Sequence, residues 1–140
     1  MHLLDVNALI ALADPLHVHH EKVARWFARK HAAGWATCPL TENGFIRIVG
    51  HPSYPEGPGT SDAARRLLNA LRSQPGHQFW PDTLSLCDTA RFRTLPSARD
   101  LTDCYLLALA VEHEARFATL DRRIDPATVP GGPAACLLIA

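Results

Sequence analysis

Residues 101–121 read "LTDCYLLALAVEHEARFATLD". Leu106, Leu107 and Ala110 recur at helical spacing with no Gly or Pro between them, which predicts the strongest helix of the chain over 101–115. "RFATL" (116–120) then reads as a short strand, and Asp121 follows it directly. Helix feeding strand in this way is the unit from which parallel sheets are built.

Working outward, the same alternation holds. Residues 2–5 read as a buried strand, and "NALIALADP" (7–15) as a helix stopped by Pro15. Residues 17–34 carry Val18, Val23, Trp26 and Phe27 near helical spacing and end at Gly34, a natural stop. "WATCPL" (35–40) is a second strand. A helix over 41–50 starts with Thr41 as cap and places Phe45, Ile46 and Val49 on one face. The Pro/Gly-rich residues 51–61 form a loop. Residues 62–76 give an amphipathic helix, 77–81 a strand, 82–92 a helix capped by Asp82, 95–100 a connection, and "ACLLI" (135–139) a last strand. No hairpin dipeptide joins two strands. The expected architecture is a short parallel sheet with helices on both faces, in one domain over 1–140.

Composition narrows the function classes. Of 140 residues, 47% are hydrophobic and 20% charged, and a chain this long buries roughly 68–70% of its unfolded surface. Lys plus Arg and Asp plus Glu number 14 each, which excludes a uniformly basic surface but not a local cluster of Arg residues. Cys38, Cys87, Cys104 and Cys136 show no C-x-x-C spacing and sit in apolar stretches, so they are expected to be core residues in a reducing compartment. No basic leader with a cleavage site and no apolar run of about 20 residues is present, so the expectation is a soluble, cytoplasmic protein.

Ligand sites in open parallel sheets lie beyond the carboxyl ends of the strands. Asp5 ends the first strand, Glu42 lies in the first turn of the helix after the second, and Asp121 follows "RFATL". Asp103 shares the inward face of its helix with Leu106, Leu107 and Ala110. Each has a plain structural alternative: Asp5 and Asp121 as caps, Glu42 and Asp103 as favourable charge in a helix first turn. Together they form a costly cluster, since two like charges about 4 Å apart repel by roughly 4 kcal/mol at an effective dielectric near 20. Either some are protonated or a cation holds them. An all-oxygen set suits Mg2+ or Mn2+.

"LLDVNALIAL", "TENGFIRIV", "DLTDCYLLALA" and "RFATLDRRI", with "HQFWPDTLSL" between them, resemble the PIN-domain ribonucleases, and among those the VapC toxins of type II toxin–antitoxin systems. The resemblance implies a three-layer α/β/α sandwich with a short central parallel sheet. It also implies that Asp5, Glu42, Asp103 and Asp121 are the acidic quartet holding one or two Mg2+ or Mn2+ ions, with Asn7 and Thr119 as small polar supports. The implied activity is metal-dependent hydrolysis of RNA, typically in a loop of tRNA or rRNA. A VapB-type antitoxin and a homodimer are the implied partners. Asp100 adds a further carboxylate, read as pairing with Ser97 in a capping box.

Arg47, Arg99, Arg122 and Arg123 lie in the same segments and are candidates for RNA phosphates, with solvated surface charge as the alternative. His17, His19 and His20 lack acidic or Cys partners at ligand spacing and read as surface residues. Trp26, Phe27, Trp35 and Trp80 read as core, although exposed aromatics can stack bases. A haloacid-dehalogenase phosphatase would need Asp where Asn7 stands, and neither a dinucleotide nor a P-loop glycine signature occurs. The rival from another class is a non-catalytic PIN-like module that binds RNA or a partner.

Overall fold

The computed structural model describes all 140 residues. Five strands, β1 (His2–Leu4), β2 (Trp35–Thr37), β3 (His77–Phe79), β4 (Arg116–Thr119) and β5 (Cys136–Leu138), form one sheet in the order β3-β2-β1-β4-β5. Every neighbouring pair is parallel: His2 lies opposite Trp35 and Arg116, Trp35 opposite His77, and Phe117 opposite Cys136. Parallel neighbours require crossover connections. The helices in those connections are α1 (Val6–Ala13), α2 (His20–Lys30), α3 (Pro39–Val49), α4 (Ser61–Arg72), α5 (Leu101–Glu112) and the one-turn α6 (Gly132–Ala135).

Strand side chains alternate between the two faces of the sheet, so successive residues feed different cores. Leu3, Ala36 and Phe117 pack with α5, Trp80, Phe92 and Val129. Leu4, Trp35 and Ala118 pack on the opposite face with residues of α1, α2, α3 and α4. The result is the expected three-layer α/β/α sandwich. Helix α5 is buried without a break from Cys104 to Ala110, because sheet, α6 and the irregular 80–95 segment enclose it. A helix so enclosed has no reason to be amphipathic, which explains its run of apolar residues.

Several local expectations are corrected. Residues 82–92 form turns, not a helix. Ser85 Oγ accepts from Cys87 N–H and Asp88 Oδ1 from Ala90 N–H, so side chains compete with helical bonds there. Asp82 caps a different helix: its Oδ2 accepts the Leu40 N–H at the start of α3 (3.1 Å). That helix starts at Pro39, so Pro39 and Leu40 leave the predicted strand, and Thr41 sits within the first turn. Its hydroxyl accepts the Cys38 N–H (3.0 Å) instead of serving as the cap residue. Residues 17–19 belong to the turn before α2, which leaves Val18 85% exposed. Cys38 and Cys104 are buried as expected, whereas Cys87 is exposed. Trp26, Phe27, Trp35 and Trp80 are core residues.

Close approach of a backbone carbonyl requires glycine at position 76. Gly76 has φ +86°, and a Cβ there would collide with the carbonyl oxygen of His31. It sits where α4 turns into β3 and so helps set the β2–β3 register that reappears below.

Candidate active site

The strand order places β1 and β4 side by side, with β2 and β3 added on one flank and β5 on the other. The point where such an order reverses opens a crevice at the carboxyl ends of the two central strands. Asp5 follows β1 there, and Thr119 and Asp121 mark the end of β4.

Asp5 is 5% exposed. Its Oδ1 accepts the Val6 N–H at the start of α1 (2.7 Å), so the capping role is real. Its Oδ2 accepts the Thr119 hydroxyl (2.6 Å). The same Thr119 oxygen accepts Asn7 Nδ2–H (3.4 Å) and the Asp121 N–H (3.0 Å). Asn7 returns across the gap, its Oδ1 accepting the Leu120 N–H (3.2 Å). Asp5, Asn7, Thr119 and the Asp121 backbone are thus one hydrogen-bonded unit. Burial raises the Asp5 carboxyl above its ordinary range and the neighbouring Asp121 adds to the rise, opposed by the Thr119 and Val6 hydrogen bonds.

Asp103 reaches this unit from α5. Its carboxyl makes no hydrogen bond or ion pair. Burial, followed by the charges of Asp5, Asp121 and Asp100, pushes its pKa up to about 7, with Arg123 opposing. Asp121 moves the other way. Arg123 donates to it through Nε (3.1 Å), Nη2 (3.1 Å) and its backbone N–H (2.8 Å), which holds the carboxyl below its usual range. Three carboxylates from β1, α5 and β4 therefore share one electrostatic field.

Glu42 is held elsewhere. Its Oε2 accepts the hydroxyl of fully buried Thr37 (2.7 Å) and lies 3.5 Å from Arg72 Nε. Thr37 in turn contacts His77 Nε2 (2.8 Å), and Arg72 lies over the Phe79 ring (5.6 Å to the centroid). Glu42 is not among the main charges acting on Asp5, Asp103 or Asp121. Arg72 and His77 were not anticipated from sequence. His77 is 40 positions from Thr37, and only the β2–β3 pairing joins them.

Among the other candidates, Arg47 and Arg122 are exposed and carry no ion pair, Arg99 is 3.9 Å from Asp100, and Arg123 is engaged by Asp121. Ser97 Oγ donates to the Asp100 carboxylate (3.0 Å), so the two pair through their side chains; the expected capping box does not form, because Ser97 caps no backbone N–H. As the side chains stand, no three His, Cys, Asp or Glu groups lie close enough together to hold a metal ion. The chemistry of the donors nevertheless fits a hard divalent cation: all are carboxylates, they repel one another, and Asp103 has no internal partner.

A parallel α/β/α sandwich with acidic residues at its switch point defines a class, and comparison with known proteins specifies it. The PIN-domain family model matches residues 2–128. Ribonuclease VapC44 of Mycobacterium tuberculosis is 43% identical over 132 residues, covering 92% of each chain. Ribonuclease VapC38 of the same organism is 46% identical over 122 residues, covering 86% of this chain and 85% of that one. Among solved structures, M. tuberculosis VapC20, described as a sarcin–ricin loop cleaving toxin, superposes with a TM-score of 0.60 at 13% identity, covering 91% and 92% of the two chains. FitAcB from Neisseria gonorrhoeae gives the same TM-score at 19% identity, covering 86% and 88%. The chain belongs to the PIN-domain family, in its VapC ribonuclease branch. No helix is long and apolar enough to cross a membrane.

Proposed function

We propose that this chain is the toxin of a type II toxin–antitoxin pair and a Mg2+- or Mn2+-dependent endoribonuclease that cuts a loop of tRNA or rRNA. The observation that carries this reading is the convergence of Asp5, Asp103 and Asp121, from three separate elements, at the switch point of the sheet. Ribonuclease names among relatives above 40% identity support the same chemistry.

Asp5, Asp103 and Asp121, joined by Glu42, would hold the cation. When bound, the cation supplies acidity for the attacking water and neutralises charge on the phosphoryl oxygens. The protein's own groups supply orientation. Thr119 fixes Asp5 by one hydroxyl proton and Asn7 fixes Thr119, so the buried carboxylate has one orientation. Arg47 and Arg122 are free to meet backbone phosphates on the substrate side, and Arg99 and Arg123 add charge at the rim. Access of a cation to Asp121 requires Arg123 to leave it, which a 70% exposed side chain does readily.

A VapB-type antitoxin and a second copy of the chain are the proposed partners. The apolar side chains that α1, α2 and their neighbours leave outside, Leu16 at 71% and Val18 at 85% exposed, support such an interface. Residues 1–140 are taken as one PIN domain, acting in the cytoplasm, where its four free cysteines stay reduced.

The test is incubation of total, transfer and ribosomal RNA with the purified chain in Mg2+, Mn2+ or EDTA, beside Asp5→Ala. Cleavage that needs metal and vanishes in Asp5→Ala is expected. A non-catalytic RNA- or partner-binding module is the second reading, favoured by the absence of a ready three-ligand group. It takes over if wild type and Asp5→Ala bind RNA or antitoxin equally and neither cuts.

A further inference from the structure

Glu42 stands in the first turn of α3, and three residues are committed to holding it. Thr37 is fully buried and its hydroxyl has a single hydrogen. An ionised carboxylate only accepts, so that hydrogen belongs to Glu42 Oε2, 2.7 Å away. The Thr37 oxygen then has only lone pairs to offer His77, so His77 Nε2 must carry the hydrogen in their 2.8 Å contact. The direction of the chain is fixed: His77 donates to Thr37, and Thr37 donates to Glu42. The imidazole is itself held edge-to-face by Trp35, with centroids 4.7 Å apart, and Trp35 is anchored through Nε1 to the Pro75 carbonyl. From the other side Arg72 Nε, buried and without a hydrogen bond, faces the same Oε2 at 3.5 Å while its guanidinium rests over Phe79. The hydrogen bond and the ion pair both fall on Oε2, and Oε1 accepts no hydrogen bond.

Stability does not explain such an arrangement, because partly buried ion pairs and polar networks give little that apolar packing would not. We propose that Thr37, His77 and Arg72 are positioning residues for Glu42, clamping Oε2 so that Oε1 is presented to the cation or to a water on it. This rests on the reading that Glu42 belongs to the metal site.

The test uses the purified full chain and two readouts: Mn2+ affinity without RNA, from water-proton relaxation, and kcat and KM on whichever RNA is cut. Loss of such supporting groups costs about 10- to 100-fold in metal affinity or activity, so His77→Ala is expected to lose at least about 10-fold in Mn2+ affinity and in kcat, with KM little changed. His77→Gln, whose amide N–H can reach Thr37, is expected to recover most of this. In a Glu42→Ala background, His77→Ala is expected to cost nothing further, since its effect runs through Glu42. Thr37→Val, close to isosteric, repeats the loss if His77→Ala folds poorly. Nitrogen NMR of the imidazole is expected to show His77 protonated at Nε2.

Unchanged Mn2+ affinity in both His77→Ala and Thr37→Val overturns the proposal. So does an equal loss with and without Glu42, or a wild-type chain that binds no Mn2+. Failure of the nuclease reading is distinguishable: no RNA is cut, while the Mn2+ comparisons still decide the role of His77.

Discussion

Thr119 concentrates the site's order into one hydroxyl, which donates to Asp5 and accepts from Asn7 and from the Asp121 backbone. Replacing it by valine keeps the volume and strands these partners, at about 1–3 kcal/mol for a buried group left unsatisfied. Thr119→Val is therefore expected to lower the unfolding free energy measured in urea by that amount and to abolish cleavage. Asp103 gives a pH signature. Its folded pKa of about 7 lies above the ordinary carboxyl value, so the folded state holds the proton more tightly than the unfolded chain. The stability this group contributes is full below pH 3.8 and is lost as pH rises through about 7. In EDTA, Asp103→Asn is expected to melt a few degrees above wild type at pH 7.5, with the gap closing towards acid pH. Half-buried His2, depressed to about 4, titrates identically in both and cancels in the difference. A mutant that is more stable but inactive would mark Asp103 as a group kept for function.

At the scale of elements, α3 depends on a residue far away in sequence. Pro39 opens the helix, and the Leu40 N–H is satisfied by Asp82. Asp82→Ala is expected to cost about 0.5–2 kcal/mol, the usual value of a side-chain cap, measured by chemical denaturation. The sequence shows Asp82 ahead of an apolar segment, and a cap for its own helix is the natural local reading. Leu84 and Leu86 both pack against the α5 core at a spacing of two, which no helix face allows, and the segment stays irregular. Tertiary packing overrode a local preference there. The turn into β3 is equally constrained. Gly76→Ala is expected to destabilise by several kcal/mol through a clash with the His31 carbonyl and a strained φ. Because His77 follows directly, loss of Mn2+ affinity should accompany the loss of stability.

For the whole molecule, zero net charge means that the RNA affinity proposed above has to come from local arginines, not from the overall field. The four cysteines are unpaired, so the melting temperature should not change with reductant. Cys87 should be alkylated rapidly in the folded chain, ahead of buried Cys104 and of Cys38, whose thiol burial pushes up to about 11. The sequence by itself determined the alternation of strands and helices, because apolar periodicity and Gly/Pro punctuation are local properties. It also determined that Asp5, Asp103 and Asp121 lie at strand ends or on an inward helix face, since those positions follow from period and order. Only the tertiary structure decided how these residues are paired. Sheet order set β1 beside β4 and joined Asp5 to Thr119, and the β2–β3 register brought His77 to Thr37 and, with Arg72, engaged Glu42. Contacts between residues distant in the chain depend on which strands become neighbours, and no local pattern around Glu42 encodes that.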